Sequence, residues 1–123
     1  MKIYFTAALT EIPASHQVNY RLIVKTLRTL GHQVYAEHIL GKTEEILKKQ
    51  TEEEKLDVER KLMTWKNKAD LIVVEVSYPS FGVGQEMEYA LSREKPVIAL
   101  HIEGRKPHFL IAVGGEYLQS TEY

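Results

Sequence analysis

Residues 75–90 read Glu-Val-Ser-Tyr-Pro-Ser-Phe-Gly-Val-Gly-Gln-Glu-Met-Glu-Tyr-Ala, the densest grouping in this chain of residue types that could do chemistry. An apolar run, Leu71 to Val76, leads into a turn containing Pro79, Ser80, Gly82 and Gly84. The turn is expected to open a helix at Gly84 with Glu86 in its first turn. In an α/β fold such a loop lies at the carboxyl end of a strand, where ligands bind. Small residues let a ligand approach the backbone, and free N–H groups at a helix start attract an anion. A carboxylate aimed at that place is a candidate nucleophile or base. The same pattern also fits an ordinary strand-to-helix turn, with Glu86 and Glu88 set against the helix dipole. Gly82-Val83-Gly84 lacks the third glycine of a dinucleotide fingerprint.

The elements that must position this loop follow from the hydrophobic pattern. Lys2–Thr6 reads as a buried first strand. Ser15 is a candidate cap for a helix to about Thr29, with Val18, Leu22, Ile23, Val24 and Leu27 as its apolar stripe. Gly31 ends it, and Gln33–Ala36 is a short second strand. A helical region from about Thr43 to Lys68 is expected to break near Gln50, because Thr51-Glu52-Glu53-Glu54 forms a capping box. Asp70–Val76 is a third strand, with continuous Leu, Ile and Val as when both sheet faces are covered. A helix over Gly84–Arg93, a strand over Pro96–His101, a short helix over Pro107–Val113 and a short strand over Glu116–Thr121 complete the chain.

Strands alternating with helices imply a parallel sheet with right-handed crossovers. The expected fold class is α/β: one domain over residues 1–123, with a flavodoxin- or Rossmann-like parallel sheet of order 2-1-3-4-5 and helices on both faces. That order sets the ends of the first and third strands side by side. Tyr4, Thr6, Ala7 and Ala8 then face the Ser80–Glu86 loop across a crevice. The sheet face near the C-terminus lacks an obvious covering helix, and a second subunit is expected there.

Composition narrows the function classes. A chain of 123 residues suits one core, and its formal net charge of −1 comes without a basic tail or a long run of one sign. No nucleic-acid polymer or membrane is therefore expected as a partner. The absence of cysteine excludes disulfides, thiolate metal sites and a Cys nucleophile, and fits a cytoplasmic protein. The five histidines are not spaced as ligands on one helix face, so no metal and no cofactor is expected. His38 and His101 fall at the carboxyl edge of the expected sheet, where either a substrate contact or a plain surface role fits. Gly41-Lys42-Thr43 lacks the earlier glycine of a phosphate loop.

Further matches, in order along the chain, are Ile3-Tyr4-Phe5, then Tyr20, Ile23, Val24, Leu27, Arg28 and Gly31, then Glu37-His38, then Trp65, Ala69 and Asp70, and Lys95-Pro96-Val97. With the Glu75–Glu86 signature they make the chain resemble the nucleoside 2-deoxyribosyltransferase superfamily, and within it the 2′-deoxynucleoside 5′-phosphate N-hydrolases. The resemblance covers residues 2 to about 104. It implies cleavage of the N-glycosidic bond of a small nucleoside or nucleotide, by hydrolysis or by transfer to another base. It implies Glu86 as the nucleophile on the anomeric carbon and Tyr4 as its positioner. Ser80, Gly82 and Gly84 resemble the family's sugar or phosphate cradle, while Thr6 and Ala7 from the strand order and His38 from its place at the sheet edge are the further expected substrate contacts. It also implies a homodimer in which the partner's segment around His108 closes the site. Glu75 is expected to hydrogen-bond neighbouring backbone.

The sequence departs from the family pattern at three places. Leu62 stands where the family has an aspartate, three residues before the tryptophan, and Glu59 and Asp57 are the nearest acids. The first loop, Thr6-Ala7-Ala8-Leu9-Thr10-Glu11, carries no arginine. The partner-supplied serine aligns with His108 or Phe109. These departures raise two alternatives: a catalytically degenerate nucleotide-binding or sensing domain, and an N-ribosyl hydrolase acting on another modified nucleotide or dinucleotide.

Overall fold

The computed structural model describes residues 1–123 and contains one five-stranded parallel sheet. The strands are β1 (Lys2–Ala7), β2 (Gln33–Tyr35), β3 (Leu71–Glu75), β4 (Val97–His101) and β5 (Leu118–Glu122), in the order β2-β1-β3-β4-β5. The helices are α1 (Gln17–Thr29), α2 (Glu44–Lys48), α3 (Glu52–Lys68), α4 (Phe81–Ser92) and α5 (Phe109–Val113). The strand order is the one expected from alternating apolar runs and helices.

Successive side chains of a strand point to opposite faces, so each strand feeds two cores. On one face Tyr4, Ile72, Val74, Val97 and Ala99 pack with Leu62 of α3 and Val83, Met87 and Ala90 of α4. On the other, Ile3, Phe5 and Val73 pack with Tyr20 and Val24 of α1. Register fixes the site. Thr6 pairs with Val74 and Ala7 with Glu75, so β1 and β3 end level at the start of α4.

Several boundaries differ from the sequence expectations. Ser15 does not cap α1. It lies in a 3-10 turn, Ala14–His16, and α1 begins without a side-chain cap. The α1 stripe is split: Tyr20 and Val24 are buried, whereas Val18 and Leu22 are exposed. The break before α3 is where the capping box put it, with Thr51 Oγ1 accepting from Glu54 N and Glu54 Oε1 from Thr51 N. The largest difference is α4, which starts at Phe81, three residues before Gly84. Ser80 is its cap, Oγ accepting from Val83 N at 3.2 Å. Gly82 and Gly84 are thus helical, and Glu86 sits in the second turn. No helix is long and apolar enough to cross a membrane.

Candidate active site

Tyr4 and Thr6 alternate with buried Phe5 on β1 and so project onto the same face of the sheet, beneath α4. Their hydroxyls meet the carboxylate of Glu86. Tyr4 Oη donates to Oε2 at 2.5 Å, and Thr6 Oγ1 donates to Oε1 at 3.0 Å. Tyr4 and Thr6 are both buried, but only Thr6 joins Glu86 in lining a crevice of about 490 Å³. Oε2 is therefore held from the protein interior and Oε1 from the crevice side. Burial, and then the Glu86 charge, push the Tyr4 phenol far above the ordinary tyrosine value, so it stays a donor at any working pH.

His38 completes the cluster. Its ring stacks on Tyr4 at 5.0 Å and 15°, and Nε2 lies 3.3 Å from Thr6 Oγ1. Thr6 spends its one proton on Glu86, so the consistent tautomer carries the His38 proton on Nε2. Nδ1 is then an acceptor, buried and without a partner. Burial, then the Lys66 charge, lower the His38 pKa from 6.5 to about 3. An unfolded chain thus takes up a proton that the folded one refuses. The stability this group contributes is fully present above about pH 6.5 and is lost as the pH falls toward 3. His38→Phe keeps a ring against Tyr4 and cannot titrate. Urea midpoints measured from pH 7 to pH 4 should fall less steeply in that variant, by an amount on the order of a few kcal/mol at the acid end. Equal slopes in the two proteins would show that His38 is not the group responsible.

Of the other residues singled out in the sequence, Ala7, Ser80 and Gly82 line the same crevice as Glu86, Thr6 and His38. Gly84 and His108 do not. They line a neighbouring hollow that also contains Arg105 and Lys106 and meets the crevice at Ser80 and Val83. A Cβ added at Gly84 would meet nothing within 4 Å, and one at Gly82 only Ser80 Oγ at 3.8 Å. The glycines are not required by packing, and they leave the first turn of α4 bare toward solvent. His101 is half-buried and lies off the crevice wall.

Leu62 is buried and lines the same crevice as Glu86. Glu59, one turn earlier on α3, lines it too. Asp57 instead pairs with Arg60 on the exposed side of the helix. Lys48 and Lys55 bring two cations to the crevice that the first loop does not supply.

Sequence reasoning missed Lys66. It is 7% exposed, and Nζ lies 3.6 Å from Glu86 Oε2. A charge on a helix usually reads as solvated surface. The available signal was spacing, since Lys66 follows Leu62 by four residues and so shares its buried face.

Glu75 faces the other side of the sheet. Oε1 accepts from Ser77 N at 2.6 Å, the backbone bond expected of it, and Oε2 accepts from Tyr123 Oη at 2.6 Å. His16 Nε2 lies 2.5 Å from Oε2 without the alignment of a hydrogen bond. Burial, then the bond to Glu75, raise the Tyr123 phenol well above its ordinary value.

No family model matches the chain. A protein from Thermofilum pendens that carries the name of a 2′-deoxynucleoside 5′-phosphate N-hydrolase is 35% identical over 105 residues, which are 85% of this chain and 71% of that protein. The chain belongs to this N-hydrolase family. The 5-hydroxymethyl-dUMP N-hydrolase of Rattus norvegicus is another relative of this family member, 33% identical over 84 residues, which are 68% of this chain and 51% of the rat protein. This N-hydrolase-family chain thus spans about half the length of that relative. Its fold is shared with a 2-deoxyribosyltransferase from Bacillus psychrosaccharolyticus, with a TM-score of 0.66, 21% identity, and coverage of 82% of this chain and 72% of that one. It is shared also with a CMP N-glycosidase from Clostridium botulinum, with a TM-score of 0.65, 16% identity, and coverage of 100% and 88%.

Proposed function

We propose that this chain is an N-glycosidase that cleaves the base–sugar bond of a small nucleoside or nucleotide, with Glu86 as nucleophile. The observation that carries the reading is the Glu86 carboxylate, fixed by Tyr4 and Thr6 at the wall of the crevice formed where β1 and β3 end. Cleavage of an N-glycosidic bond passes through an oxocarbenium-like state. A fixed carboxylate stabilises that charge and can bond to the anomeric carbon. Tyr4 and Thr6 orient the carboxylate, and His38 orients Thr6. Ser80 and Gly82 offer a bare helix start to the sugar or to a phosphate, with Lys48 and Lys55 as the nearest cations. The reading needs no metal or redox group. Its relatives' names favour water as the acceptor.

Incubation with a panel of ribo- and deoxyribonucleosides and their 5′-phosphates, followed by chromatography of free base, tests this directly. Release of base from at least one compound is the expected result. Leu62 in the crevice wall favours a second reading, a nucleotide-binding domain without turnover. Tight binding of the panel with no base released would select that reading.

We further propose a homodimer. Phe109, Leu110 and Val113 of α5 are exposed at 72%, 68% and 65%, and Val18 and Leu22 of α1 add exposed apolar surface. A two-fold interface burying well above ~1,000 Å² would cover such patches. In that arrangement the partner's segment around His108 closes the crevice. Sedimentation at micromolar concentration should give twice the chain mass of 14.2 kDa. A single species at the mass of one chain would remove the dimer and the shared site together.

A further inference from the structure

Lys66 is the one charged group beside Glu86 to which the reading above gives no task. It is 7% exposed, a burial lysines rarely reach unpaired. The one carboxylate at ion-pair distance from it is Glu86, whose own side chain is 15% exposed. Its ammonium lies 5.9 Å from the Tyr4 ring centre and 5.7 Å from that of Tyr89. The groups facing this pair are Tyr4 from β1, His38 from the segment after β2, Glu59 from α3, and Tyr89 from α4 with Arg93 stacked on its ring. Lys66 is thus the nearest full positive charge to a carboxylate that must lose and regain its negative charge in each turnover.

We propose that Lys66 is a positioning residue for Glu86, engaging Oε2 from behind the crevice, leaving Oε1 to react, and stabilising the carboxylate when it departs from the sugar. The proposal rests on Glu86 acting as a nucleophile. In the first step Oε1 bonds to the anomeric carbon, the carbon–nitrogen pair leaves with the base, and the base takes a proton from solvent. Glu86 is then a neutral ester, and Lys66 has lost its counter-charge. In the second step water bonds to the same carbon and gives its proton to solvent, and the carbon–Oε1 pair returns to Glu86. Over both steps one water is divided between sugar and base. A fixed cation at Oε2 makes Glu86 a better leaving group, so Lys66 assists the second step.

The substitutions are Lys66→Met, close in shape and uncharged, and Lys66→Arg, which keeps the charge. Lys66→Gln serves in place of Lys66→Met if that variant does not fold. The first measurement needs no substrate. Carbon-13 at the glutamate side-chain carboxyls is titrated in the whole protein, with Glu86→Gln assigning the resonance. Without the cation the Glu86 carboxyl should take up its proton at higher pH, because a desolvated carboxylate has lost its partner. Lys66→Arg should titrate like the parent. An unchanged titration in the uncharged variant overturns the proposal.

The second measurement follows base release through the first and later turnovers, using a panel compound that the parent protein cleaves. Lys66→Met should keep the first turnover within about threefold while later ones slow about tenfold or more. Intact mass should then show sugar bound to the protein. Equal slowing of both phases with no adduct overturns the proposed role. Failure of the parent protein to release any base defeats the glycosidase reading instead, and the carboxyl titration still decides whether Lys66 governs Glu86.

Discussion

Glu86→Gln should reduce base release by a factor of about 10³ or more, since losing a covalent nucleophile adds on the order of 4 kcal/mol to the barrier. The amide is close in shape, so ligand binding should survive. The structure adds a second consequence. Only one of Tyr4 and Thr6 can still donate to the amide oxygen while the other faces the amide NH2, and Lys66 is left buried beside a neutral group. Removing one partner of a buried pair costs about 3 kcal/mol or more. A melting point below the parent's is therefore expected together with the lost turnover. Combining Glu86→Gln with Lys66→Met should recover much of that stability and none of the activity. Turnover near the parent's in the single variant would sink the nucleophile assignment. A melting point equal to the parent's would show that the pair contributes little to the fold.

Leu62→Asp should have large and opposed effects. Leu62 belongs to the core packed by Tyr4, Val74 and Val83, and it also lines the crevice. Truncating it and burying a carboxyl there should cost about 3 kcal/mol of stability. A carboxyl at this place also shares the crevice with the Glu86 charge, and the repulsion favours its protonated form. A protonated acid is what a departing base requires. General acid help is commonly worth about 10²–10⁴-fold, and imperfect placement should still give about tenfold faster base release. A folded Leu62→Asp variant with no gain on any deoxynucleotide would show that this wall position is not where an acid is needed. Glu59, already in the crevice, would then be the residue to substitute.

The sheet was legible because its signal is long-range and redundant. Runs such as Leu71–Val76 and Val97–His101 need covering on both faces, and only a few orders of parallel strands allow that. The join of β1 with α4 followed from that order. Other features turned on single contacts. The start of α4 was placed too late because glycines at 82 and 84 weaken a helical reading, and the Ser80 cap outweighs them. The α1 stripe was read as one surface because apolarity alone does not say which of two adjacent faces meets the sheet. Lys66 was hidden because its charge is matched by a residue twenty positions on, and the four-residue spacing from Leu62 points to its burial but not to its partner.

The two glycines in the first turn of α4 also divide that helix by mobility. Each costs about 1 kcal/mol of helix stability relative to alanine, and the Ser80 cap restores about 1 kcal/mol. The second turn carries Glu86, tied to β1 by Tyr4 and Thr6 and to α3 by Lys66. Transient fraying should therefore be concentrated at Phe81, Gly82 and Gly84, exposed around the buried Val83, while the Glu86 carboxylate stays anchored one turn away. Amide hydrogens at the start of this helix should exchange through local opening, and those beyond Glu86 only through wider unfolding. Ligand entry can loosen the doorway without unseating the carboxylate proposed as nucleophile.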